Sequence, residues 1–296
     1  MKKTIVLMFS VLLMTMTAFA QNNENIFVHK VGEYEVILLS EMQQAGSSSI
    51  LIGATPEMKA ATIPEGTFPN AINAFLIKSP TENILVDAGL GIKLIDNLAS
   101  LNLTPSDIDV ILLTHLHGDH IGGMLKEGEA VFSNAKVYLS LHELVYWANE
   151  VTNNKSEKHR ETLQNVSKFI DAYIKHTQLI DVMKIGEREE VSPDIYAIGA
   201  FGHTPGHLMF QLESQGEKLL IWGDLTHAMV IQMPYPEVAV SYDVNPEEAV
   251  ATRKYVLEYV TKNAIPVAGM HIAYPAMGVV EQNSQEGYQF VPFAEK

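Results

Sequence analysis

The sequence predicts an α+β domain. Paired apolar, β-branched runs open the chain, a long helical stretch occupies its middle, and short runs bounded by glycine and proline follow. Strands and helices arriving in separate groups, rather than in strict alternation, mark this class.

The elements follow in order. Residues 4–17 are almost wholly apolar behind Met1-Lys2-Lys3, and Ala18-Phe19-Ala20 precedes Gln21. Residues 1–20 are therefore expected to be a secretory signal peptide, cut after Ala20. The protein is then secreted or periplasmic, with residues 21–296 as one large domain or two small ones. No other run is long and apolar enough to imply membrane insertion once the leader is gone. Residues 27–31 and 34–39 predict two strands turned at Gly32-Glu33. Periodicity is then lost. Ser47-Ser48-Ser49, Pro56, Pro64, Gly66 and Pro69 punctuate residues 41–70, which are expected to form a loop flap near the site. Residues 71–78 and 83–86 predict the next strand pair, 90–101 a helix, and 108–114 a buried strand. A strand at 135–139 leads into a helical stretch over 140–180, interrupted at 151–156 and read as an insertion over one sheet edge. Further strands are predicted at 179–184, 194–197, 208–212, 218–222 and 265–269. Residues 246–263 form an amphipathic helix capped by Asn245, with Glu248 three residues on. Residues 287–292 form a closing edge segment.

Composition narrows the function. The formal charge is −15, and the leader carries Lys2 and Lys3 but no acid, so the mature chain is more acidic still. A nucleic-acid partner, which favours a basic surface, is not expected. A neutral or apolar small molecule suits better. There is no cysteine, so neither disulfides nor a thioether lipid anchor can form.

The chemistry concentrates at 114–123, Thr-His-Leu-His-Gly-Asp-His-Ile-Gly-Gly. His115, His117, Asp119 and His120 fall on the loop between a buried strand and a helix opening at Ile121. Imidazoles this close repel one another when protonated. They are favourable as neutral groups around a shared cation. Gly202-His203-Thr204-Pro205-Gly206-His207 is a tight loop expected to aim His207 inward, with His203 stabilising the loop. Asp224 ends an apolar strand in Gly223-Asp224-Leu225-Thr226-His227 and needs a counter-charge. The strand at 265–269 delivers His271. Asp87, at the end of the 83–86 strand, either hydrogen-bonds a metal-bound histidine from behind or caps the helix that follows. His142, His159 and His176 have no partner at metal spacing.

This order of motifs resembles the metallo-β-lactamase superfamily over essentially all of residues 21–296. The resemblance implies an αββα sandwich, two mixed β-sheets packed face to face with helices outside and the site at one edge. It implies a first metal on His115, His117 and His207, a second on Asp119, His120 and His271, and Asp224 bridging both. Nitrogen and carboxylate ligands without thiolate suit two zinc ions, with cobalt, manganese or iron as alternatives. Such a pair, about 3.5–4 Å apart, can share a hydroxide. Asp119 is then also the general acid for the leaving oxygen.

The lack of cysteine and the bridging Asp224 set the chain apart from β-lactamases proper. Gly223-Asp224-Leu225, Arg253-Lys254 and the 287–292 segment look like the branch of acyl-homoserine lactonases and methyl parathion hydrolase. The implied activity is opening the lactone ring of N-acyl-homoserine lactones (quorum quenching), a zinc-dependent hydrolysis. Phosphotriester or aryl ester hydrolysis is the alternative, and a metal-dependent binding protein without turnover is the reading from another class. Many lactonases carry a tyrosine where this chain has His227. His227 either donates a hydrogen bond to the substrate carbonyl or is structural. The partner is a small-molecule lactone or ester, and the resemblance allows a homodimer.

Overall fold

The computed structural model describes residues 25–154, 160–283 and 287–294. The expected signal segment and His159 lie outside them. Among the described residues, no helix is long and apolar enough to cross a membrane.

β1 (Ile26–Val31) and β2 (Tyr34–Ser47) form an antiparallel hairpin. β2 continues past the apolar residues that predict it. After β3 (Leu51–Ile52) and α1 (Pro56–Thr62), β4 (Thr67–Lys78) returns along its whole length, pairing Ser47 with Thr67 and Glu35 with Lys78. The loop expected over 41–70 is thus corrected to a hairpin extension with a structured tip. Residues 43–47 are polar or small and mostly exposed, so no alternation betrays them; the backbone ladder holds them. The tip has its own small core, in which Ile63 and Phe68 pack with Ala228, Ile231 and Val238.

β5 (Asn83–Val86) leads to α2 (Leu94–Ser100) and β6 (Val110–Leu112). The helix expected from residue 90 starts only at Leu94. The backbone N–H groups of Leu90, Gly91, Lys93 and Leu94 instead wrap the buried Glu41 carboxylate. α3 (Gly118–Ile121) is a single turn, followed by a 3-10 turn over Gly122–Met124. Gly122 and Gly123 press against the backbone of Ala88 to Leu90 so closely that a Cβ on either would overlap it. A short ribbon of β7 (Leu125–Lys126) and β8 (Glu129–Ala130) precedes β9 (Lys136–Ser140). α4 (Leu141–Asn153), α5 (Arg160–Tyr173) and β10 (Thr177–Ile180) follow. β10 runs parallel to β9. The helical pair expected as an insertion is therefore the crossover that a parallel pair requires.

The second half supplies β11 (Arg188–Ser192), β12 (Ile195–Gly199), β13 (Leu208–Ser214) and β14 (Glu217–Ile221). Then come α6 (Met229–Gln232), β15 (Ala239–Val240), α7 (Pro246–Lys262), β16 (Val267–Ala268), β17 (Met277–Gln282) and β18 (Tyr288–Pro292). Asn245 caps α7 by accepting from the Glu248 N–H at 3.2 Å. β15 pairs with β3, fastening the hairpin tip to the segment after Asp224.

Two seven-stranded mixed sheets result, in the orders β1-β2-β4-β5-β6-β9-β10 and β11-β12-β13-β14-β16-β17-β18. Period-two alternation decides what each face meets. Val36, Leu38, Phe75, Ile77, Ile84, Val86, Val110 and Leu112 point into the core shared with the second sheet. Their neighbours Ile37, Leu39, Ala74, Leu76, Leu85 and Ile111 point outward, under Leu94, Leu98, Trp147, Val166 and Phe169 of α2, α4 and α5. Val256, Leu257 and Val260 of α7 pack with the second sheet. The layers run helix, sheet, sheet, helix, as the resemblance implied.

Candidate metal centre

The site lies where strand ends of both sheets meet. Asp87 directly follows β5, and its φ of 56° is left-handed. That unusual backbone turns its carboxylate onto the loop after β6. Oδ1 accepts from the Thr114 N–H at 2.8 Å, and Oδ2 from the Thr114 hydroxyl at 2.7 Å. The same Oδ2 lies 2.6 Å from His120 Nδ1. Of the two roles open to Asp87, the structure places it behind a histidine. The carbonyl of Thr114 accepts from Leu208 N–H at 2.9 Å, which draws the loop before β13 alongside.

Among the described residues, three groups of side chains could hold metal ions: His115, His117, His203 and Asp224; Asp119, His120 and His271; and Asp224, His227 and His271. His115 Nε2 lies 2.9 Å from His117 Nδ1, which lies 3.0 Å from His203 Nε2. Asp224 sits between the groups. Its Oδ2 is 3.2 Å from His203, 3.7 Å from His115 and 3.1 Å from His271, and its Oδ1 is 3.2 Å from His120. Asp119 closes the second group, 3.5 Å from His271 and 3.8 Å from His120.

This arrangement corrects the expected part of one residue. His203, not His207, joins His115 and His117. Both ring nitrogens of His207 are already engaged: Nδ1 lies 3.0 Å from the Ala200 carbonyl, and Nε2 accepts the backbone N–H of Asp224 at 3.0 Å. His207 positions the aspartate from behind. Of the two histidines in Gly-His-Thr-Pro-Gly-His, the turn points the earlier one at the cluster.

An acceptor behind each imidazole sets which nitrogen faces the centre. Asp87 backs His120 and Asp243 backs His203, at 2.9 Å. The Ala71 carbonyl backs His271 at 2.8 Å, and the Thr114 hydroxyl backs His115 at 3.0 Å. In each case Nδ1 faces its backing group and Nε2 faces the centre. Asp243 was not anticipated, because nothing in its sequence neighbourhood marks it. Arg253, fully buried beside it, donates to the carbonyls of Leu225, Pro236 and Val238. His227 has no such backing; among the described residues its Nδ1 lacks a hydrogen-bond partner. Its ring stacks on His271 at 4.5 Å and its Nε2 lies 3.1 Å from Asp224 Oδ2. The structure turns it onto the aspartate.

Metal ions fit this donor set. His120 Nε2 and Asp224 Oδ1 face each other at 3.2 Å, yet among the described residues neither has a hydrogen-bond partner. Two buried lone pairs so placed call for a cation. Burial pushes His115 well below the usual imidazole range, His117 and His207 down to about 3, and His227 to about 4, which favours the neutral form, the one that can ligate in His115 and His117. Burial also opposes charge on His120, but Asp224, Asp87 and Asp119 overcome it and raise His120 well above its ordinary value. His203 is likewise lifted, against burial, to about 9 by Asp224 and Asp243. Burial would raise Asp224, yet His120, His271, His227 and His115 hold it well below the carboxylate range. The cluster demands positive charge at its centre. Asp119, with 29% of its side chain exposed, faces the open side.

The sequence matches the family model of the metallo-beta-lactamase superfamily over residues 67–265. It is 32% identical over 130 residues to the exodeoxyribonuclease WalJ of Streptococcus pneumoniae, an alignment covering 42% of this chain and 44% of that protein. It is 28% identical over 153 residues to the uncharacterized protein YobT of Bacillus subtilis, covering 52% and 61%. The chain thus spans less than two thirds of either relative. Similarity to solved structures is more extensive. The hydrolase AbOPH of the beta lactamase superfamily superposes with a TM-score of 0.82 at 27% identity, covering 92% of this chain and 98% of that one. AidC, a dizinc quorum-quenching lactonase solved with a product N-hexanoyl-L-homoserine, gives 0.81 at 25% identity with the same coverage.

Proposed function

Because the chain belongs to the metallo-β-lactamase superfamily, we propose that it is an exported dinuclear zinc hydrolase that opens the lactone ring of N-acyl-homoserine lactones. The observation that carries this reading is the Asp224 carboxylate, shared between the three-histidine group and the Asp119, His120 and His271 group. Two zinc ions held there would supply a hydroxide nucleophile near neutral pH and stabilise charge developing on the substrate oxygen. The likeness to AidC over nearly the whole of both chains supports the lactone as substrate.

The chain's own residues have distinct parts. Opening the ring adds water across the acyl carbon–oxygen bond, and the departing alkoxide needs a proton. Asp119, partly exposed beside His271 and His120, would take up the proton released by the attacking water and pass it to that oxygen. Trp147 packs edge-on against His117 at 5.6 Å and excludes water from that flank.

A second reading, phosphotriester or aryl ester hydrolysis, draws support from His227. Its Nε2 is engaged with Asp224, so the donor expected toward a lactone carbonyl is turned away. Purified zinc-loaded protein should be offered N-hexanoyl-homoserine lactone, a paraoxon-type phosphotriester and an aryl ester in parallel. Lactone turnover is the expected leading activity. Failure to hydrolyse any such lactone would sink the first reading, and faster phosphotriester turnover would favour the second. DNA is disfavoured as a substrate, since a formal charge of −15 repels a polyanion. Export is part of the same proposal. N-terminal sequencing of protein from periplasm or medium should begin at Gln21, and an intact Met1 would refute cleavage.

A further inference from the structure

Glu143, fully buried on α4, accepts four hydrogen bonds from neutral donors. Oε1 accepts from the Leu116 N–H at 3.0 Å and the Trp147 indole N–H at 2.7 Å. Oε2 accepts from the Thr204 hydroxyl at 2.6 Å and the Gly206 N–H at 3.1 Å. Leu116 stands between His115 and His117, and Thr204 and Gly206 follow His203. One carboxylate therefore joins the two loops that present the first three imidazoles. The approach is tight: a Cβ on Gly206 would overlap the backbone of Glu143.

The residue type matters. A carboxylate can accept all four bonds on its two oxygens. A glutamine has one oxygen and would turn an NH2 group toward two donors. The need for a clamp is also visible. His115 Nε2, His117 Nδ1 and His203 Nε2 are spaced at 2.9 and 3.0 Å, a crowding that their lone pairs resist. The second group is anchored elsewhere, His120 by Asp87 and His271 by the Ala71 carbonyl.

We infer that Glu143 is a positioning residue for the three-histidine half of the site, holding its two loops in register and thereby setting the metal affinity of that half alone. It touches neither metal nor substrate. The inference rests on the two-metal reading proposed above.

Full-length protein stripped of metal and titrated with cobalt(II) tests it, with bound equivalents and d–d absorption as readouts. The two halves differ in their ligands, three imidazoles against two imidazoles and a carboxylate, so their spectra differ. Wild type is expected to fill both. Glu143→Gln is expected to weaken the three-histidine half by about 10–100-fold and leave the other half filling as in wild type. Thr204→Val severs one link between the loops; it should shift the same half by a smaller factor, and it reads the effect where Glu143→Gln does not fold. Equal weakening of both halves, or unchanged cobalt affinity with only a lower Tm of metal-free protein, overturns the inference. Wild type that takes up no cobalt overturns the two-metal reading instead.

Discussion

Asp224→Ala is expected to lower kcat/KM by about a thousandfold or more, roughly 4 kcal/mol of transition-state stabilisation. Within the site, Asp224 is the group that faces both halves, with oxygens 3.1–3.2 Å from His120, His203 and His271. Removing it leaves buried imidazole lone pairs without the anion that balances a pair of cations between them. The loss should appear in metal content as well as rate. Asp224 is held from behind by His207, so its backbone is fixed before any ion arrives. The alanine variant should therefore fold and fail in binding. A variant retaining both metals and a rate within tenfold of wild type would contradict the bridging role.

Chelation is expected to abolish turnover and to lower Tm by roughly 10 °C, both reversed by added zinc. An ion that binds the folded chain alone stabilises it by about 4 kcal/mol when free metal exceeds Kd a thousandfold. In chains of comparable size, each kcal/mol moves Tm by about 2–4 °C. The stabilisation should be lost as pH falls, because protons compete for the same imidazoles and carboxylates. Calorimetry with and without chelator, across pH, measures this. A Tm indifferent to chelator would argue against a cluster built around cations.

Much of the site was legible because its ligands come as local motifs. His115, His117, Asp119 and His120 fall within one loop, and Asp224 and His271 each end an apolar run. Choosing between His203 and His207 was not possible from residue types, since both flank the same Thr-Pro-Gly turn; only the turn's path decides which ring is spent on the Asp224 backbone. Glu143 and Asp243 were invisible for a different reason. Each acts across the fold, on partners 27–63 and 40 residues away, with no spacing that repeats. Among the strands, apolar alternation found most of the buried ones, but β17 was not anticipated, although Met277 and Val280 are buried. β11 escaped it because Arg188, Glu189 and Glu190 are exposed on an edge. The far arm of β2 escaped it because backbone hydrogen bonds, not side-chain burial, keep it in place.

Three residues of β4 tie the long hairpin to the histidines and the loop that carries them. The Asn70 side chain donates to the His227 carbonyl at 2.8 Å, Ala71 supports His271, and Asn73 donates to the carbonyls of Gly269 and Ile272. The hairpin is thus a lever whose fulcrum is the metal site itself. Lengthening the exposed turn at Gly53 would alter its reach at little mechanical cost, whereas a one-residue slip anywhere along the arms would drag His271 and His227 out of alignment together.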